Sequence, residues 1–414
     1  MISFFRNLYQ RLFSTKPVIL KLVKPLNIVP EVVDILNVLQ KNGFEAYVVG
    51  GGVRDLLIGA QPKDFDIVTS ALPHQVKKLF RHSIIIGKRF RLVHVKYSKN
   101  RNDFIEVATF RSLNKFSWFC GKNNNYYGNI ATDSMRRDFS INALFYKPSD
   151  NLIIDYCQGL EDIKNKRINT IGKAASRFKE DPVRMIRAIR FAAKLEFKLD
   201  RDIDCAIRRN KKLIKKVNAD RLFLDVVKLF YNGHGERSWK LLQEYQLIPI
   251  LFASLAECLE VKNKYVVIIE SFLLSFFKNS DERFNNNQCL SPAFLFAVLY
   301  WFPWQMVRKS FRSRRRQLLR QKMHEVLSHS KSTVALSNRL CESIVAIWEL
   351  QSSFHKRRSA TILRTMSHPK FKAAYDFFLL RAMAGNAPKE LAHWWQEFIS
   401  ADKESQQAML SNLD

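Results

Sequence analysis

Paired cysteines, membrane-length apolar runs and a balancing number of acidic side chains are all missing from this sequence of 414 residues. The six cysteines (Cys120, Cys157, Cys205, Cys258, Cys289 and Cys341) are scattered, with no CxxC pair and no nearby CxxH. That spacing argues against a zinc site and a disulfide framework and fits a reducing compartment, so a cytoplasmic location is expected. The longest apolar stretches, Ala293–Trp304 and Tyr265–Phe277, are too short or too interrupted for a membrane span, which takes about 20 apolar residues. No secretory-type apolar run with a small-residue cleavage site follows the N terminus, and no repeat of roughly 20–50 residues is evident. The glycine pattern matches neither G-x-x-x-x-G-K-[ST] nor G-x-G-x-x-G, which excludes the P-loop and dinucleotide-binding readings.

The acid deficit is the largest compositional signal. Aspartate and glutamate total 38 against 68 lysines and arginines, a formal net charge of +30. Self-repulsion of that size disfavours a compact state, and it attracts polyanions, so a nucleic acid is the expected partner. The segment Met1–Lys16 has no acidic residue and alternates aromatics with Arg6, Arg11 and Lys16. It reads as part of a basic tail over residues 1–29, with weak association to a membrane surface or organelle targeting as its alternative uses.

At 47% hydrophobic content the chain has apolar material for several cores. Residues 30–42 carry Val32, Val33, Ile35, Leu36 and Leu39 at helical spacing, and Gly43 ends that helix. A short strand, Glu45–Val49, then runs into three glycines. Val53–Ile58 follows, and strands are expected at Asp64–Thr69, Ile84–Ile86, Leu92–Tyr97 and Phe104–Phe110. Residues 112–130, rich in asparagine and aromatics, read as a loop. Beyond Ile141–Phe145 and Leu152–Asp155 the helical period takes over. Strands early and helices late predict an α+β chain: a small mixed-sheet head over 30–155, a helical neck over 156–250 and a helical body over 251–414.

The sharpest local feature is Gly50-Gly51-Gly52-Val53-Arg54-Asp55 followed by Lys63-Asp64-Phe65-Asp66. Carboxylates two apart on a strand share a face, and two so close repel unless a cation sits between them. A hard divalent ion with oxygen ligands, Mg²⁺ or Mn²⁺, would remove that cost. Glycines ending the preceding strand let backbone N–H groups approach an anion at the start of a short helix, and Arg54 adds a charged fork for phosphates. A two-metal site needs a third carboxylate. Glu106 and Asp138 are the candidates, and the spacing leaves both open.

In order along the chain, Gly50–Asp55, the Asp64/Asp66 pair, Glu106, Arg136–Asn142 (RRDFSIN), Asp155-x-x-x-Gly159-x-x-Asp162 and Glu180-Asp181-Pro182-Val183-Arg184 resemble the class II branch of the polymerase-beta-like nucleotidyltransferases. That branch holds bacterial poly(A) polymerases and CCA-adding enzymes. The resemblance implies metal binding by Asp64 and Asp66, and contacts of Gly51, Gly52, Arg54, Arg137, Arg184 and Arg187 with a nucleotide. It also implies that Asp181 and Arg184 read the base edge. Ile85–His94, carrying Lys88, Arg89 and Arg91, is similar to the stretch that marks the poly(A) branch. Ser291–Ala297 and His368–Asp376 resemble that branch's helical C-terminal part, and no His-Asp phosphohydrolase pair is evident. Adenylate addition from ATP to RNA 3′ ends, as in mRNA processing and decay, is therefore the expected activity, by a monomer with no identified protein partner. CCA addition to transfer RNA and a non-catalytic RNA-binding protein are the alternatives. The basic run Arg308–Lys322, with Arg308, Arg312, Arg315 and Arg316 near one helical face and Arg314 beside them, is expected to track RNA phosphates.

Overall fold

The computed structural model describes residues 16–87, 91–97, 104–112, 127–260, 264–288, 290–311, 313, 315–330 and 333–413. Lys88, Arg89, Arg312, Arg314 and residues 1–15, all singled out from the sequence, lie outside the described residues. Two compact units form: Met1–Arg177 with Phe197–Asp204, and Phe178–Glu196 with Cys205–Asp414.

The first unit is built on eight strands: β1 (Val18–Lys21), β2 (Ala46–Val49), β3 (Asp66–Thr69), β4 (Ser83–Ile86), β5 (Leu92–Lys96), β6 (Phe104–Thr109), β7 (Leu144–Lys147) and β8 (Leu152–Asp155). Their order across the sheet is β1-β8-β7-β2-β3-β6-β5-β4. Among the described residues of this sheet, β3 and β6 alone pair in parallel; every other neighbour is antiparallel. Alternation sorts the side chains. Val48, Ile67, Ile105 and Val107 join the core under helices Pro30–Lys41 and Pro73–Leu79, while Val49, Val68, Phe110 and Phe145 pack on the opposite face. Helix Pro30–Lys41 buries Val32, Ile35, Leu36 and Leu39, the stripe its spacing predicts.

Three local expectations differ from the structure. Val18–Lys21, assigned to the basic tail, pairs antiparallel with β8 as an edge strand, because its backbone N–H and C=O groups satisfy those of β8 that would otherwise be open. Ile141–Phe145 is not one strand: Ser140–Asn142 makes a 3₁₀ turn before β7 begins at Leu144. And β3 begins at Asp66, which leaves Asp64 in the preceding loop.

The second unit is helical. Helix Val183–Leu195 buries Met185, Ile186 and Ile189. Helix Ala219–Phe230 is capped by the Asn218 side chain, which accepts from the N–H groups of Asp220 and Arg221. Its core is aromatic. Phe230 stacks on Phe277 with centroids 4.7 Å apart, and Phe377 sets its ring edge-on to Phe272, Phe294 and Trp301. Phe354, Phe378, Trp395 and Phe398 form a further cluster near the C terminus. Among the described residues no helix is long and apolar enough to cross a membrane.

Phe377 is fully buried among the rings of Phe272, Phe294 and Trp301. Phe377→Ala should lower unfolding free energy by roughly 3–5 kcal/mol, read from urea denaturation. A loss below about 1 kcal/mol would mean that the aromatic packing is dispensable.

Candidate active site

The site begins where β2 ends. Gly50 has φ +80° and ψ −135°, a backbone that side chains rarely adopt, and this turns the chain into helix Gly51–Leu57. A Cβ at Gly50 would come within 3.5 Å of an Arg137 guanidinium nitrogen and 3.8 Å of an Asp66 carboxylate oxygen. A Cβ at Gly52 would sit 3.2 Å from the carbonyl oxygen of Asp64 and from the Phe65 ring. Glycine at these two positions lets the loop bearing Asp64, the strand bearing Asp66 and Arg137 converge. Gly51, at the first position of the helix, lies against the Arg54 guanidinium.

Across the sheet, Val49 pairs with Asp66, Asp66 with Glu106, and Glu106 with His94. By the alternation of β3 and β6, Asp66 and Glu106 stand on the face of Val68 and Phe145. Asp66 reaches solvent, yet protein surrounds it on most sides. Burial first, then the neighbouring charge of Glu106, and less strongly Asp64, push its carboxyl up from 3.8 to about 6, while Arg137 opposes the rise. Glu106 meets His94 Nε2 at 3.3 Å, and the His94 ring stacks on Phe104 at 3.7 Å. Among the described residues no three His, Cys, Asp or Glu side chains are gathered closely enough to close around an ion. The donor set nonetheless suits one. Asp64, Asp66 and Glu106 offer only hard oxygens, and their mutual repulsion is what a divalent cation relieves.

Asp138, the other candidate for third carboxylate, has different surroundings. Its Oδ1 accepts from the N–H of Phe139 at 2.9 Å and from Asn142 Nδ2 at 3.3 Å, which ties it to both ends of the segment holding the 3₁₀ turn. Arg54 is 2% exposed. It donates to Asp55 at 2.9 Å through Nε, and through Nη1 to Asn142 Oδ1. Its guanidinium thus ties the glycine helix to the RRDFSIN segment.

Sequence reasoning missed the residues that hold this segment. Asp133 is fully buried and receives Arg136 at 2.6 Å and Arg137 at 2.9 Å. Burial alone would raise its carboxyl, but Arg137, Arg136 and the Arg111 N–H hold it below the ordinary range. Arg177 donates to the carbonyls of Arg136 and Arg137 at 2.9 and 2.7 Å. The i,i+3 and i,i+4 spacing of Asp133 from the two arginines was a readable signal; nothing marked Arg177. Of the motif aspartates, Asp162 braces the 3₁₀ turn through Ser140, and Asp155 holds the stretch that follows β8. Asp155 accepts from the N–H groups of Cys157 and Leu160, and Asp162 accepts from Asn169 and the Ser140 hydroxyl. Gly159 lies so close to the Ser140 carbonyl that a Cβ would approach within 2.4 Å.

In the helical unit, Asp181 pairs with Arg221 at 2.6 Å and Arg184 with Glu180 at 3.2 Å. Arg187 lies 5.9 Å over the Phe191 ring, and Arg190 pairs with Asp225 at 3.6 Å. Arg91 is exposed just before β5. Arg308 and Arg316 do not share a helix. One helix ends at Ser310 and the next begins at Arg316, so the expected single basic face is interrupted. Arg308 instead donates to the carbonyl of Phe311, Arg315 is exposed between the two helices, and Arg316 reaches Glu349.

A mixed sheet that sets two aspartates and a glutamate beside a glycine turn and a cradled arginine defines a nucleotidyltransferase head. Residues 46–169 match the model of the Poly A polymerase head domain. Residues 196–259 match the probable RNA and SrmB-binding site of polymerase A, and 313–414 the polymerase A arginine-rich C-terminus. Poly(A) polymerase I of Salmonella typhi is 38% identical over 92% of this chain and 84% of its own length. That of Haemophilus influenzae is 35% identical over 94% and 88%. A CCA-adding enzyme of Lactococcus lactis is 34% identical over 51% of the chain and 55% of its own. Among solved structures, the Bacillus stearothermophilus CCA-adding enzyme in complex with CTP superposes with a TM-score of 0.57 at 26% identity, over 89% of this chain and 82% of its own. The chain belongs to the poly(A) polymerase family of nucleotidyltransferases.

The raised Asp66 carboxyl fixes the sign of a pH effect. Its folded value, about 6, lies above the ordinary 3.8, so ionising it costs stability as pH rises through that window. In metal-free protein Asp66→Asn should therefore melt higher than the parent at about pH 8, with the advantage shrinking through about pH 6 and gone below about pH 4. An advantage independent of pH would show that Asp66 is not held under strain.

Proposed function

We propose that the chain is a template-independent polynucleotide adenylyltransferase in which the Asp64/Asp66/Glu106 carboxylates, beside the Gly50 turn and Arg137, direct an RNA 3′-hydroxyl onto the α-phosphate of ATP, releasing pyrophosphate. The observation that carries this is the register of Asp66 with Glu106 beside Gly50. Asp64 and Asp66 hold Mg²⁺ (or Mn²⁺), with Glu106 as the third carboxylate. A divalent ion bound there supplies a lowered pKa for the attacking hydroxyl and charge neutralisation at the triphosphate. Asp138, whose Oδ1 accepts from Phe139 and Asn142, is the alternative third carboxylate.

Each cationic residue receives a distinct task. Arg137, cradled by Asp133 and set against Gly50, meets the triphosphate, while the backbone N–H groups of Gly51 and Gly52 face the same anion. Arg54 acts as a positioning residue through Asn142. Asp181 and Arg184 select adenine, with Arg187 as a further nucleotide contact. Arg91, Arg308, Arg315 and Arg316 follow RNA phosphates without reading sequence. The reading of adenylate over CCA is supported by the reach of the likeness: the poly(A) polymerase I relatives align over more than nine-tenths of the chain and the CCA-adding enzyme over about half. A reducing cytoplasm is the location this reading takes.

Asp66→Ala should leave the circular dichroism spectrum intact and abolish nucleotide transfer; residual turnover with Mg²⁺ would sink the metal assignment. Arg137→Ala should raise the KM for ATP by roughly ten- to a hundredfold, the worth of one lost charge-assisted contact. The activity itself is tested by offering purified protein, Mg²⁺ and an unstructured RNA primer each nucleoside triphosphate separately. A long ladder with ATP alone is expected. Addition of only C, C and A to a truncated transfer RNA would place the chain in the CCA-adding branch instead.

A further inference from the structure

The helical unit contains a cavity of about 620 Å³ that adenylyl transfer in the head does not require. Its lining carries five permanently charged cations, Arg308, Arg316, Lys356, Arg364 and Arg381, against a single carboxylate, Glu349. That carboxylate is already engaged. Its Oε2 accepts from Arg320 at 2.9 Å and from Arg316 at 3.4 Å. The excess positive charge is therefore not neutralised by the walls.

Arg381 makes the imbalance acute. It is 8% exposed, and its guanidinium lies 4.6 Å from the Trp301 ring centroid. Its Nε and one Nη donate to Asn386, and the other Nη donates to Gln351 Oε1 at 3.1 Å. Every one of these acceptors is neutral, and no carboxylate pairs with Arg381 among the described residues. Burial lowers its pKa to about 10, so at neutral pH it remains charged. His355, also in the lining, is held below its ordinary range by burial and by Arg381, and so adds an N–H donor without adding charge. A buried cation with neutral partners costs stability unless an anion completes the site, and a guanidinium's rigid fork of five donors matches phosphate oxygens. Lys356 and Arg364 line the cavity and are also exposed, so they are open to an anion arriving from solvent. The volume is that of a small-ligand site, with room for a nucleotide unit.

We propose that this cavity holds a backbone phosphate of the RNA strand, anchored by Arg381 and admitted by Lys356 and Arg364. The proposal rests on RNA being the polymer this chain handles. It adds to the expected basic tracking surface a built pocket that takes in Arg308 and Arg316 and gives the His368-Pro369 stretch, whose histidine is in the lining, a place in RNA handling.

The test is fluorescence anisotropy of a labelled oligoadenylate with the full chain, which reads binding without catalysis and so separates failure of this site from failure of the adenylyltransferase reading. The double variant Lys356→Glu/Arg364→Glu is compared with Lys389→Glu/Lys403→Glu, the same charge change at exposed positions outside the lining. The cavity variant should bind about tenfold more weakly than the control variant, with a salt slope smaller by about one to two. Its KM for ATP at saturating primer should stay unchanged. Arg381→Lys, which keeps the charge and loses the fork, should weaken oligoadenylate binding in the same direction; if it does not fold, the rim variant decides alone. Equal losses in the two double variants would overturn the proposal, leaving bulk charge only. A calorimetric signal for inorganic phosphate or ATP that the cavity variant loses, with oligoadenylate affinity equal to the control's, would also overturn it in favour of a free phosphate compound. Unchanged RNA affinity alongside loss of binding to an acidic peptide would assign the pocket to a protein partner instead.

Discussion

Repulsion among Asp64, Asp66 and Glu106 is the interaction around which the head is arranged. Two carboxylates on one face of a sheet, with a third in the loop beside them, cost stability, and the fold sustains that cost by placing Asp66 and Glu106 on parallel, hydrogen-bonded strands that cannot splay. Arg137 tempers the repulsion and is itself held by Asp133, which also binds Arg136. Behind these lie the supports: Arg54 to Asn142, Arg177 to two carbonyls, and Asp162 to Ser140. A network so heavily cross-tied around like charges makes sense if a cation enters it.

Much of this was readable in advance, because the features involved are local. The glycines before Val53, the two aspartates one residue apart and the apolar alternation of β2, β5 and β6 lie within short windows, where side-chain period and backbone freedom decide the outcome. The parts that were not readable depend on contacts far apart in sequence. Arg54 donates to Asn142, 88 positions away. Glu106 stands in register with Asp66 on the neighbouring strand, a pairing across 40 positions that no short window of sequence shows. The basic run from Arg308 read as one helical face because nothing in its composition marks the break between Ser310 and Arg316.

The helical unit follows the same logic with the opposite sign. Its aromatic core packs Phe377 among Phe272, Phe294 and Trp301, and Arg381 lies buried over Trp301 against neutral partners. A chain with a net charge of +30 distributes most of that excess over exposed surface, but at this cavity it is concentrated. Both units thus hold charge that the protein alone does not neutralise: negative in the head, where a cation would answer it, and positive in the body, where a polyanion would.

The most direct test of the central claim is the Mg²⁺ dependence of thermal stability at about pH 8, above the raised value of the Asp66 carboxyl, compared between the parent and Asp66→Asn. The parent midpoint should climb as Mg²⁺ is added, since an ion that binds only the folded state stabilises it by mass action, and the variant should show little of that gain. A parent that ignores Mg²⁺, or a variant that responds equally, would contradict the assignment of these carboxylates as a cation site.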